Sequence, residues 1–182
     1  KDGYKGSGDY GIFFFFVYNG QTANKPELND YMHIVTRVTY PFEFKGQIFE
    51  PGIQAYTGKF TIPKDQISSG VKTNADATYT DQRIAASLVM YPKPFGFQVE
   101  YNIGEGPEYN KQTDSIEHKN LSGGYILVNY KLELNTAVVF PFARYHYYDG
   151  GKKHERDARS YNVNELEVGV EWQPNKFFEF VA

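Results

Sequence analysis

The residue types that chemistry needs are concentrated in one stretch, Lys152-Lys153-His154-Glu155-Arg156-Asp157-Ala158-Arg159. His154, Glu155 and Asp157 suggest a metal or an acid–base pair, yet the helix spacing used by zinc hydrolases is missing. The charges of the run nearly balance, which fits a solvated loop on the outside of the molecule. Gly104-Glu105-Gly106-Pro107 follows strand-like sequence but opens no helix and lacks the Walker spacing, so it reads as a turn rather than a phosphate cradle. Ser68, Ser69 and Ser122 have no Gly-x-Ser-x-Gly frame and no evident histidine partner. Asn120-Leu121-Ser122 fits the glycosylation pattern by chance. Cysteine is absent, which removes thiol nucleophiles, disulfides and Cys-ligated zinc. Net charge is −3, so no nucleic-acid surface is expected, and nothing calls for a cofactor.

The remaining charges are spread out, and most sit at alternate positions in apolar stretches. Arg37, Arg83 and Lys131 fall on polar faces by parity, as does His33; Arg144 and His146 are placed there too. Glu43, Glu50, Glu100, Glu133, Glu165, Glu167 and Glu171 share those faces, so acids outnumber bases. Charges so arranged act on what passes along a wall rather than on a bound substrate.

The elements that position them are strands. Phe95, Phe97, Val99, Tyr101 and Ile103 alternate with Gly96, Gln98, Glu100 and Asn102. Leu166, Val168, Val170 and Trp172 alternate with Glu165, Glu167, Gly169 and Glu171. The pattern predicts about nine strands, over 10–19, 31–44, 48–60, 81–91, 95–104, 122–134, 137–148, 161–173 and 177–182. Most are near the roughly 9–11 residues that cross a tilted bilayer path. Ile12 to Val17 is a continuous apolar run, which would also suit a strand buried on both faces. In 137–148, Val138, Phe140 and Phe142 share a parity with Arg144 and His146, and a bulge at Pro141 would reset it.

Short connections (44–47, 92–94, 135–136, 174–176) interleave with long polar ones (21–30, 61–80, 105–121, 149–160). Outer-membrane barrels place short turns at the periplasmic end and long loops outside. Aromatic residues make up 18% of the chain and gather near strand ends, as girdles require. A mean hydropathy of −0.56 is compatible with a barrel, where only every second strand residue meets lipid. The fold class expected is all-β, an antiparallel transmembrane meander barrel in a single domain over 1–182.

Three quoted stretches then become specific: Gln98-Val-Glu-Tyr-Asn-Ile-Gly-Glu-Gly-Pro-Glu-Tyr109, Pro141 through Glu155, and Glu165-Leu-Glu-Val-Gly-Val-Glu-Trp-Gln-Pro-Asn-Lys-Phe-Phe-Glu179. They resemble the phosphate-selective porin O and P family, in its Bacteroidetes-like branch, most clearly over 80–182. The resemblance implies a bacterial outer-membrane porin, a homotrimer of barrels of roughly sixteen strands each, with anions such as phosphate among its solutes. Its partners would then be the lipid bilayer, lipopolysaccharide and small solutes. The alternating run Phe178–Ala182 and the odd strand count lead to the expectation that these residues are the C-terminal part of a larger barrel; a complete eight- or ten-stranded barrel is the rival. Export would require a leader removed from the chain or outside it.

Pore-lining candidates are therefore Arg37, Arg83, Lys131 and Arg144, expected to offer anions an attractive path along a mixed-charge wall. The 61–80 loop is a candidate constriction if it folds into the lumen; the other readings are a loop that lies outside or one that is disordered. The alternatives are a soluble lipocalin-like binding barrel, which would turn its apolar residues inward, and an outer-membrane barrel with a structural role. An outer-membrane barrel enzyme would need a nucleophile and base that the sequence does not show, so no enzymatic activity is expected.

Overall fold

The structure is a computed structural model and describes residues 7–20 and 26–182. The described residues form one antiparallel sheet of eleven strands. The strands are β1 (Ile12–Asn19), β2 (Met32–Thr39), β3 (Phe42–Phe44), β4 (Gln47–Thr61), β5 (Thr78–Met90), β6 (Phe95–Asn110), β7 (Ser115–Tyr130), β8 (Leu132–Glu133), β9 (Val138–Gly151), β10 (Ser160–Asn175) and β11 (Phe178–Val181). Neighbours follow chain order, β1-β2-β4-β5-β6-β7-β9-β10-β11, with the short β3 and β8 pairing β4 and β9 from the side. The sheet is open: β1 and β11 do not pair with each other.

The expected strands are all present, with three differences. The stretch 122–134 divides into β7 and β8. The stretch 31–44 divides into β2 and β3. The long connection expected at 105–121 is instead a hairpin, whose pairing runs on to Asn110↔Ser115 around a tight turn. Part of the connection expected at 21–30 lies outside the described residues.

Alternation gives the sheet two unlike faces. Cross-strand partners share a face, so Ile53–Ala86–Tyr101–Gly124 and Ala55–Ile84–Ile103–Ser122 lie on one side. This apolar face carries Phe95, Tyr101, Ile103, Ile126, Val128, Leu166, Val168, Val170 and Trp172, all exposed. On β6 its apolar positions run from Phe95 to Ile103, after which Glu105 begins a polar zone. Nine residues span about 30 Å along a strand, and at the usual tilt they cover the roughly 25 Å apolar band of a membrane barrel. Beyond that level the same face turns polar: Thr57, Gln82 and Glu105 lie in one cross-strand row, and Thr57 donates to Gln82 Oε1 at 3.5 Å. Trp172 stacks on Phe180 and Phe42 on Phe49 near the short turns, with centroids 5.6 and 5.7 Å apart, where a girdle belongs.

No bulge forms at Pro141. The β9–β10 register runs unbroken from Val138↔Gln173 to Gly151↔Ser160. On the other side of β9 the ladder to β7 ends at Phe142 and the β8 pairing begins at Val139, so the proline sits in the gap and no donor is missed. Phe142, Arg144 and His146 therefore do share one face.

A small core sits at the long-loop end. Phe60, Ile62, Tyr79, Ile116 and Ala158 are buried together, with Ile67 and Val71 packed against them. It joins the 62–77 loop to the tip of the β6–β7 hairpin, where Lys72 bridges Ser115, and to the loop 152–159.

Candidate functional site

The loop 152–159 does not stand away from the sheet as a solvated outside loop. Gly150, one residue before the end of β9, has a φ of 150°, within the region that favours glycine, and a Cβ there would lie 2.5 Å from Leu121. Lys152 N then donates to Arg159 O at 2.9 Å, and Glu155 N and Ala158 N donate back to Lys152 O and Glu155 O. Asp157 adopts a left-handed conformation, which Asp tolerates, and accepts from Ser68 N at 2.6 Å and Ser68 Oγ at 2.7 Å. Ala158 is wholly buried in the core. The turn is thereby pinned, and it carries Lys153 across the polar face to β4 and β5.

There Lys153 Nζ donates to Asp81 Oδ2 at 2.5 Å and to Tyr56 OH at 3.1 Å. Asp81 has no exposed surface and also accepts from Arg83 Nε at 3.1 Å. Two cations thus share one buried carboxylate. A buried charge persists only when paired and hydrogen-bonded, and Asp81 satisfies both conditions. Burial pushes the Lys153 ammonium below its ordinary pKa, with Asp81 opposing that shift. His154, edge-on to Phe60 at 5.1 Å, is also held low, first by burial and then by the charge of Lys153. Glu155 accepts from Tyr161 OH at 2.5 Å, which lowers its pKa. His154, Glu155 and Asp157 thus engage different partners and do not converge on a common centre.

His33 lies under this cluster and is 1% exposed. Its Nδ1 is 2.6 Å from Tyr56 OH and its Nε2 is 2.9 Å from Lys59 O. The ring fits because Gly58 faces it: a Cβ there would come within 2.4 Å of the imidazole. Tyr18, Tyr56, Asp81, Arg83, Tyr148, Lys153 and their neighbours line an open cavity of about 630 Å³.

The four sequence-predicted residues all meet this face or its edge, but they do not gather. Arg83 joins the Asp81 cluster. Arg144 donates from Nε to Glu167 Oε2 at 2.9 Å, and His146 Nε2 lies 3.6 Å from the same carboxylate. Lys131 falls just past β7, at the short-turn end, and pairs with Glu133 at 2.6 Å. Arg37 stands between Phe14 and Gln54 in the cross-strand row and, among the described residues, has no carboxylate within ion-pair distance. Sequence reasoning missed Lys153, Asp81 and Tyr56. Asp81 and Tyr56 carry a signal, since Asp81 shares the parity of Arg83 and Tyr56 is its cross-strand partner. Lys153 carries none, because its place depends on a loop folding back over strands distant in sequence.

The arrangement is that of a wall. One face suits lipid, the other carries scattered ion pairs and hydroxyls, and among the described residues no nucleophile–base pair stands out. No curated protein and no solved structure matches the chain. Residues 3–182 match the family model for phosphate-selective porin O and P, so the chain belongs to that family of outer-membrane channel proteins.

Proposed function

We propose that the polar face lines a water-filled passage through which small hydrophilic solutes, anions included, diffuse passively across the outer membrane. One observation carries the reading: the apolar face keeps a band of bilayer depth while the opposite face holds Arg83, Glu100, Arg144, His146, Glu165 and Glu167. A soluble binding barrel would bury the first face and wet the second. Most cations of the passage have acidic partners, which favours a mixed-charge pore of weak selectivity over a phosphate filter. Trimeric assembly and contact with lipopolysaccharide extend the same proposal on the strength of the family. Planar-bilayer recordings test it. Stepwise conductance is expected, with a reversal potential near zero under a salt gradient. Absence of steps refutes the channel, and a potential near the Nernst limit of either ion refutes the mixed wall.

A further inference from the structure

The polar face is not uniformly polar. On β1 the residues facing it are Phe14, Phe16 and Tyr18, cross-strand from Arg37, Val35 and His33. Phe14 is 44% exposed and Phe16 is 51% exposed. The lipid-facing side of β1 is already supplied by Phe13, Phe15 and Val17, so these rings are additional to what the bilayer requires. Their centroids form an unbroken series: Phe14–Phe16 5.8 Å, Phe16–Tyr18 5.8 Å, Tyr18–His33 5.5 Å and His33–Tyr56 5.5 Å. Bare phenyl rings on a wetted wall are unfavourable unless something covers them.

The flanks of the series are cationic. Arg37 stands beside Phe14 with no carboxylate partner among the described residues, and Arg83 stands beside Tyr56 in the cross-strand row. At the Tyr18–Tyr56 end the series opens into the 630 Å³ cavity, where Arg83 and Lys153 share the single carboxylate of Asp81 and leave an excess of positive charge. Aromatic surface packs against another ring by offset or edge contact, and a guanidinium donates paired hydrogen bonds to a carboxylate. Several weak contacts in series hold a solute without trapping it, as passage requires.

We propose that Phe14, Phe16, Tyr18 and Tyr56, with the buried His33 bracing Tyr18 against Tyr56 and with Arg37 and Arg83 on the flanks, form a binding track for ring-shaped organic anions. The proposal rests on the polar face being the lumen, and deepens that reading by naming a solute class. Benzoate and acetate carry the same charge and differ in the ring, so they are the probes. In planar bilayers benzoate is expected to reduce the chloride current at a concentration about tenfold below that needed for acetate. Each variant is compared with its own chloride conductance. Phe14→Ala with Phe16→Ala removes the benzoate advantage. Arg37→Gln, which keeps every ring, is expected to weaken benzoate block severalfold and leave block by uncharged benzyl alcohol unchanged, and it serves if the double variant does not assemble. Equal block by benzoate and acetate in a conducting channel overturns the track alone, and is the result expected if another part of the assembled barrel covers the rings. So does an unchanged benzoate advantage in both variants. A protein without chloride conductance brings down the channel reading and the track with it.

Discussion

Where the loop 152–159 folds back, Asp81 is fully buried and shared by Arg83 and Lys153, with Tyr56 and His33 beneath. Closer to the short turns, Arg144 meets Glu167 with side chains 36% and 43% exposed. Both are carboxylate–cation contacts on one face of one sheet. They differ in solvent. A covering loop removes water from the first, which raises both the attraction and the cost of leaving a charge alone. The second stays screened, and exposed pairs of this kind contribute little. The same face therefore holds a latch at one end and loosely held wall charges at the other.

The largest expected effect separates these ends directly. Asp81→Asn leaves Lys153 and Arg83 facing each other without the buried carboxylate they share, and breaking a buried pair costs about 3–5 kcal/mol. Unfolding in detergent, followed by the single tryptophan, Trp172, should show a large loss of stability, and trypsin should gain access at Lys152 and Lys153. Glu167→Gln should barely move the same transition. A larger loss from Glu167→Gln than from Asp81→Asn would reverse the comparison.

Packing under the latch is the next lever. A Cβ at Gly58 would lie 2.4 Å from the His33 ring, whereas one at Gly106 would make ordinary contact with Asp81 Oδ1 at 3.5 Å. Gly58→Ala is expected to cost about 1–3 kcal/mol, as overpacking does, while Gly106→Ala should cost far less. His33→Ala in the Gly58→Ala background should recover part of the loss, because the colliding ring is gone. Failure to recover any stability would show that the glycine matters to the strand rather than to the histidine.

Much of the fold is legible in the sequence because lipid imposes a strict alternation. Phe95 to Ile103 and Leu166 to Trp172 declare their strands unaided. The alternation reports membrane depth, however, and not where the ladder ends. Past Ile103 the apolar alternation of the β6–β7 hairpin lapses, with Ile116 and Leu121 isolated among polar residues, so pairing that continues to Asn110↔Ser115 reads as a loop. Pro141 suggested a bulge because a ladder gap on one side of β9 has no local signature. For the site, parity places Arg83 on the polar face, but it leaves Arg144 open, because Phe140 and Phe142 share its parity; the unbroken β9–β10 register puts Arg144 opposite Glu167 on that face. The latch lies beyond such reasoning: Lys153 reaches Asp81 because Ser68 holds Asp157 and Ala158 fills a core made from three separate connections. Loop 61–80, a candidate constriction in the sequence, supplies that support, and loop 152–159 supplies the group that reaches across the wall.

The smallest effect should come from pH, and it too belongs to the covered end. His154 faces Phe60 and lies near Lys153 and Arg83, both of which lower its pKa along with burial, while Asp81 raises it. With the loop docked its pKa is therefore below the ordinary value of about 6.5, and with the loop released it returns there. As pH falls through that value the released loop takes up a proton that the docked loop refuses, so docking is firm above it and weakens with acidification. Hydrogen exchange over 152–159, corrected for its intrinsic pH dependence, should speed up from pH 7.5 to pH about 5.5. The β9–β10 strands around Arg144 should show no matching change. His154→Phe keeps a ring against Phe60 and removes the titrating group, so it should flatten the response; a response that survives this substitution would assign the pH sensitivity to a different group at the latch.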